Sequence, residues 1–156
     1  MTPQVFVTDL ESFASDLHNL SEECFGPASV VVVYRDPAEL PAVLERLEGS
    51  LTATIHATDP KEARDSAEVL LRKAGRLIWN GWPTGVAVRW AMHHGGPWPA
   101  STAAAHTSVG AAAIGRWLVP TAYQDWLAEL LPVELRDENP LGIPRRVDGV
   151  LVEGRS

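Results

Sequence analysis

The chain has 156 residues, room for one domain in which about 70% of the unfolded surface is buried without help from disulfides or a metal. Its 46% hydrophobic and 21% charged residues form an ordinary globular balance, which excludes disorder over most of the length, collagen-like repeats and a disulfide scaffold. Thirteen Lys and Arg against twenty Asp and Glu leave a net charge of −7, which argues against capture by nucleic acid or by an anionic membrane.

Residues 1–28 form a mixed opening segment: a short apolar stretch at Val5, Phe6 and Val7, a helix expected over 10–20, then SEECFGP with its Gly26-Pro27 turn signal. The start, MTPQVFVTD, lacks the basic and long apolar regions of a signal peptide. The longest apolar run, residues 30–34, falls far short of the about 20 residues that a membrane helix needs. With one cysteine, Cys24, no internal disulfide is expected, and the reading is a cytoplasmic protein.

Val30-Val31-Val32-Val33-Tyr34 is β-branched and apolar on both faces, as in a strand covered on both sides. Asp36, with Pro37 and with Glu39 three residues on, predicts a capped helix start. Leu40, Val43, Leu44 and Leu47 then fall on one helical face, Pro41 delaying the start and Gly49 ending it. Leu51, Ala53 and Ile55 alternate with Thr52, Thr54 and His56 as a second strand. Asp59-Pro60-Lys61-Glu62 opens a second helix with Ala63, Ala67, Leu70 and Ala74 on one face, Arg72 and Lys73 in its last turn and Gly75 as C-cap. Leu77-Ile78-Trp79 is the third strand. Residues 29–80 thus read as a βαβαβ unit with parallel strands.

Residues 81–100 change character, with Gly81, Gly85, Gly95 and Gly96, three prolines, and Trp82, Trp90 and Trp98. A loop of this length at the carboxyl edge of a parallel sheet is a candidate binding element. In residues 101–156, Val109, Ala112, Ala113, Ile114 and Trp117 suggest a packed helix ending at Pro120. Thr121 and Gln124 suggest a cap for a short helix carrying Trp126, Leu127, Leu130 and Leu131, and Asp148-Gly149 between apolar residues suggests a hairpin. The predicted fold is α/β: the βαβαβ unit, the Gly/Pro/Trp-rich loop, then short helices and a tail, all in one domain over 1–156.

The turn after the first strand, Tyr34-Arg35-Asp36-Pro37, has no glycine, so the unit lacks a dinucleotide phosphate loop and reads as a structural sheet. Cys24 follows Glu22 and Glu23, whose carboxylates disfavour the thiolate that a nucleophile requires, so a buried structural cysteine is expected. His93, His94 and His106 lack the spacing of a metal site, and no metal is expected. His93-His94-Gly95-Gly96 reads better as a pocket wall, the glycines admitting a ligand close to the backbone. No G-x-S-x-G elbow surrounds Ser101, Thr107 or Ser108, which read as capping and packing residues. Glu23 beside Phe25 fits either a solvated acidic turn or a carboxylate accepting from sugar hydroxyls while the ring stacks on a heterocycle. The tryptophans read as core, or in Trp82, Trp90 and Trp98 as the lining of an apolar cavity.

The string Glu22-Glu23-Cys24-Phe25-Gly26-Pro27 followed by an apolar strand resembles the E-x-F-G-P segment of aldehyde dehydrogenases. NGWPTGV, HHGGPWPAST, TSVG with AIGRWLVP, then YQ and LLP resemble, in order, the closing segment of one branch of that family. That branch is the NADP-type group of α-ketoglutarate semialdehyde (2,5-dioxopentanoate) and long-chain aldehyde dehydrogenases. The resemblance runs over essentially the whole chain, which corresponds to about the last third of such an enzyme.

The resemblance implies an enzyme in which a cysteine attacks an aldehyde, hydride passes to NADP or NAD, and glutamate-activated water releases the acid. It also implies that the Rossmann part, that cysteine, that glutamate and the oxyanion asparagine precede this region. Glu23 then matches the ligand of the nicotinamide ribose and Phe25 the residue flanking the nicotinamide. Residues 80–99 match the part closing over the aldehyde tunnel, with Trp82, His93, His94, Gly95, Gly96 and Trp98 as pocket residues. Cys24 fills the variable position of the motif and is not the catalytic cysteine. The chain alone is expected to hold no cofactor tightly and to oxidise no aldehyde, its partner being the remainder of the dehydrogenase or a second copy of itself. The other expectations are a non-catalytic assembly module and a domain for small apolar ligands.

Overall fold

The computed structural model describes residues 2–154 and divides into two compact units, Met1–Leu118 and Val119–Ser156. The first is α/β with parallel strands, as the sequence predicts. Its elements are β1 (Gln4–Asp9), α1 (Leu10–Ser15), α2 (Leu17–Ser21), β2 (Ala28–Val33), α3 (Leu40–Leu44), β3 (Ser50–Ile55), α4 (Pro60–Lys73) and β4 (Ala74–Trp79).

The strands pair differently from a continuous βαβαβ unit. β1 pairs with β2, from Gln4 opposite Ala28 to Asp9 opposite Val33, and β3 pairs with β4, from Ser50 opposite Ala74 to Ile55 opposite Trp79. Among the described residues no ladder joins β2 to β3. The cause lies in the opening segment, where Val5, Phe6 and Val7 supply an apolar, β-branched strand that the periodicity of 29–80 does not reveal. Val30, Val31 and Val33 are exposed, so the cover on both faces that their composition calls for is not supplied by the described residues.

Local start signals hold closely. Asp36 accepts from the Ala38 N–H at 2.9 Å, and Glu39 closes a capping box with it. A 3-10 turn at Pro37–Glu39 leads into α3, which stops at Leu44, short of the eight-residue stripe the sequence predicts. Asp59 caps α4 through the Lys61 N–H at 2.9 Å. The buried stripe of α4 is Ala63, Ser66 and Val69 with Ala67 and Leu70 half-buried, a slight rotation from the predicted face.

Several expectations are corrected. The 10–20 helix is two helices, because Asp16 leaves helical geometry at φ −125°, ψ 42°. Gly75 is no C-cap: α4 ends at Lys73, Ala74 is already extended, and Gly75 lies in β4, where a Cβ would collide with the Gly95 carbonyl. The packed helix around 109–117 is a 3-10 segment, Ala111–Trp117, with Ile114 and Trp117 exposed, since alanine and glycine leave it little apolar surface to dock. Cys24 is exposed rather than buried, because the Glu22–Pro27 stretch forms no helix or strand and nothing packs over it.

In the second unit the expected helix after Thr121 is a single 3-10 turn, Ala128–Leu130, started at Leu127 without a side-chain cap. A further turn spans Val133–Leu135. β5 (Arg145–Val147) and β6 (Val150–Val152) form the predicted antiparallel hairpin. Asp148 and Gly149 take φ of 48° and 81°, the left-handed pair that a two-residue hairpin turn requires. No helix among the described residues is long and apolar enough to cross a membrane.

Candidate functional site

Three cavities lie in the first unit. The largest, about 900 Å³, is bounded by Phe13 of α1, Leu20 of α2, Val30 and Val32 of β2, and Leu51 of β3, with Glu22, Glu23 and Glu48 at its rim. The turn out of α2 places Glu23 there. Its carboxylate has no hydrogen-bond or ion-pair partner among the described residues, so both oxygens can accept from a ligand. Phe25, two residues on, lies outside this lining and is 93% exposed. The motif therefore presents a free carboxylate and a bare ring on one short extended segment, with the exposed Cys24 between them.

The 80–100 loop is anchored at both ends. At its start Asn80, at φ 49°, donates its N–H to the Ile55 carbonyl at 2.9 Å and pairs its side-chain amide with both main-chain groups of Ala57. Arg76 of β4 donates to the Gly85 carbonyl at 3.0 Å. At its far end His94 donates its N–H to the buried Thr107 hydroxyl at 2.8 Å, which in turn donates to the Val109 carbonyl at 2.7 Å. The Ser108 N–H and hydroxyl both donate to the His94 carbonyl. Gly95 and Gly96 are buried, and Gly96 sits so close to the Ser50 carbonyl that no Cβ fits between them.

The tryptophans stand apart from one another. Trp82 packs against His56 with ring centroids 5.6 Å apart, while Trp90 and Trp98 point to solvent, and none of the three lines a described cavity. His94 and Gly95 do line one, a cavity of about 410 Å³ shared with Ser101, Thr102, His106, Ser108 and Arg116. His93 lies beside Gly95. No group of three or more His, Cys, Asp or Glu able to hold a metal occurs among the described residues. The third cavity, about 500 Å³, lies between α3, α4 and the end of β3 and is lined by Tyr34, His56 and Glu62.

Two residues here escape the sequence analysis. Asn80 carries the signal of an asparagine directly after a strand, where a left-handed residue with a self-complementary amide is favoured. Arg116 gives no local signal, because its place beside His106 depends on the path of the 3-10 segment.

Comparison with known proteins agrees with this arrangement. Residues 3–112 match the aldehyde dehydrogenase family. The chain is 56% identical over 131 residues to alpha-ketoglutaric semialdehyde dehydrogenase 2 of Azospirillum brasilense, covering 83% of this chain and 25% of that protein. It is 47% identical over 153 residues to alpha-ketoglutaric semialdehyde dehydrogenase of Acinetobacter baylyi (strain ATCC 33305 / BD413 / ADP1), covering 97% of this chain and 29% of that protein. The chain thus spans between 25% and 29% of the length of these relatives. With the family matched over most of its length, the chain belongs to the aldehyde dehydrogenase family.

Proposed function

We propose that this chain serves an NAD(P)-dependent cytoplasmic enzyme that oxidises an aldehyde of the α-ketoglutaric semialdehyde type to the carboxylic acid. The observation that carries this reading is the 47–56% identity, over 83–97% of the chain, to two enzymes named for that substrate.

Glu23 and Phe25 are the residues of this chain that hold the cofactor. Their surroundings fit the group: the Glu23 carboxylate is uncommitted at a cavity rim, and the Phe25 ring is open to a flat heterocycle. NAD(P), when bound, supplies the acceptor for the hydride. Glu23 orients it by accepting from vicinal hydroxyls, and Phe25 limits its swing. On the substrate side the anchored loop contributes Trp82, His93, His94, Gly95, Gly96 and Trp98 to the wall around the aldehyde. Cys24 takes no part as nucleophile, since Glu22 and Glu23 beside it disfavour a thiolate. Covalent catalysis needs nucleophile, oxyanion donors and oriented cofactor in one place, and this chain supplies part of the third alone. Its working partner is the remainder of the dehydrogenase, or a further copy within an oligomer.

The test is NAD(P)H formation from α-ketoglutaric semialdehyde. The intact dehydrogenase carrying this chain forms it, and Glu23→Gln raises the KM for the cofactor. The 156-residue chain by itself forms none. Intact enzyme inert toward the semialdehyde with both cofactors would overturn the reading. Activity of the chain alone that disappears in Cys24→Ser would overturn the assignment of Cys24.

A further inference from the structure

The 410 Å³ cavity has an unusual electrostatic character for this chain. The sequence holds twenty acidic residues against thirteen Lys and Arg, yet no carboxylate lines this cavity, whereas Glu22, Glu23 and Glu48 line the first and Glu62 the third. Its polar lining is Arg116, His94, His106, Ser101, Thr102 and Ser108. Its volume lies within the ~300–1,000 Å³ of small-molecule sites.

The donors there are largely uncommitted. Arg116 has no ion-pair or hydrogen-bond partner among the described residues, and neither does the side chain of His106 or Thr102. Ser101 accepts from the Ala103 N–H at 3.1 Å, which leaves its own proton free to donate. The His94 Nδ1 is shielded from water and has no partner. By contrast the frame is fixed, by the His94 main chain bonded to Thr107 and Ser108 and by Gly115 passing beside the His106 ring. A rigid frame with free donors and no acceptor charge is the arrangement that receives an oxyanion, because a buried cation or donor without a partner is otherwise costly.

We infer that this cavity is a carboxylate-binding site, in which Arg116 and His106 take the carboxylate of a short 2-oxo acid and the hydroxyls of Ser101 and Thr102 take its oxo group. The guanidinium offers two parallel N–H groups matched to a carboxylate, which a lysine would not. The inference rests on the reading of the protein as a semialdehyde dehydrogenase for the identity of the acid, and on the cavity alone for the charge it selects.

The experiment is calorimetric titration of the intact dehydrogenase with 2-oxoglutarate, the non-aldehyde acid of the same skeleton, and separately with inorganic phosphate. Wild type binds 2-oxoglutarate, and Arg116→Gln weakens binding about tenfold or more, the loss expected for a charge-assisted pair. Arg116→Lys recovers part of it. Where Arg116→Gln loses the native circular-dichroism spectrum, His106→Gln carries the same test. Unchanged affinity in the folded variants overturns the site, and phosphate displacing 2-oxoglutarate at equal concentration overturns its assignment to a carboxylate. Oxidation of uncharged propanal, assayed alongside, separates the two readings. Oxidation of propanal with no 2-oxoglutarate binding sinks this inference and spares the dehydrogenase, whereas 2-oxoglutarate binding without oxidation of any aldehyde does the reverse.

Discussion

The side-chain amide of Asn80 pairs with the peptide groups of Ala57 in both directions. Oδ1 accepts from the Ala57 N–H and Nδ2 donates to the Ala57 carbonyl, each at 2.9 Å. Together with the bond from the Asn80 N–H to Ile55, this ties the end of β4 to the end of β3 at the point where the long loop departs. The loop therefore leaves the sheet from a fixed origin.

Asn80→Gly keeps the left-handed backbone and loses both amide bonds, so it costs about 1–3 kcal/mol. Asn80→Ala adds backbone strain at φ 49° and costs more. Asn80→Asp keeps the acceptor and loses the donor. Hydrogen exchange at the Ala57 N–H reads the difference: slow in wild type and Asn80→Asp, fast in Asn80→Gly and Asn80→Ala. Slow exchange in Asn80→Gly would refute the pairing.

Asp9 caps α1, and the Ser12 N–H at 2.7 Å, followed by the Ser12 hydroxyl at 3.1 Å, holds its carboxyl below the ordinary value of 3.8. A depressed folded-state value means that the stabilisation is complete above 3.8 and is lost as pH falls through the lower folded value. The first turn of α1 thus frays only in strong acid. A carboxyl carbon titration by NMR places the Asp9 midpoint under 3.8, and Ser12→Ala moves it upward; a wild-type midpoint at or above 3.8 would contradict the cap.

Gly96 lies against the Ser50 carbonyl, at the first residue of β3. Gly96→Ala forces the loop away from the strand at a cost of about 1–3 kcal/mol, typical of an overpacked contact. Because His94 and Gly95 precede it directly, the same change disturbs the small cavity. Denaturant unfolding of Gly96→Ala, compared with Gly85→Ala where a Cβ meets nothing within 4 Å, isolates the steric part from the general cost of replacing glycine. Equal effects at the two positions would dismiss the close contact.

Features set by three or four neighbouring residues were readable in the sequence. The Asp36–Glu39 capping box, the Asp59 cap and the Asp148-Gly149 hairpin all rest on side chains that act within one turn of themselves. Pairing of β2 with β1 was not readable, since it depends on which distant apolar strand competes best, and Val5, Phe6 and Val7 are too short a run to show a period. The exposure of Cys24, Ile114 and Trp117 escaped for a related reason: residue type sets a tendency to be buried, while burial itself needs a surface to pack against. At the candidate site, Glu23, His94 and Gly95 do border cavities, whereas Arg116 reaches one only through the fold.

The registers of the two parallel pairs carry a consequence for how the chain forms. Gln4 faces Ala28 and Ser50 faces Ala74, the same separation along the chain in each case. Closing either loop therefore costs about the same entropy, and neither closure waits on the other. Both contacts are short-range in sequence, which favours rapid formation. The first pair has all its strand residues once Val33 has been added, while the second is still unmade, so ribosomal synthesis can deliver the two sheets one after the other as separate folding events.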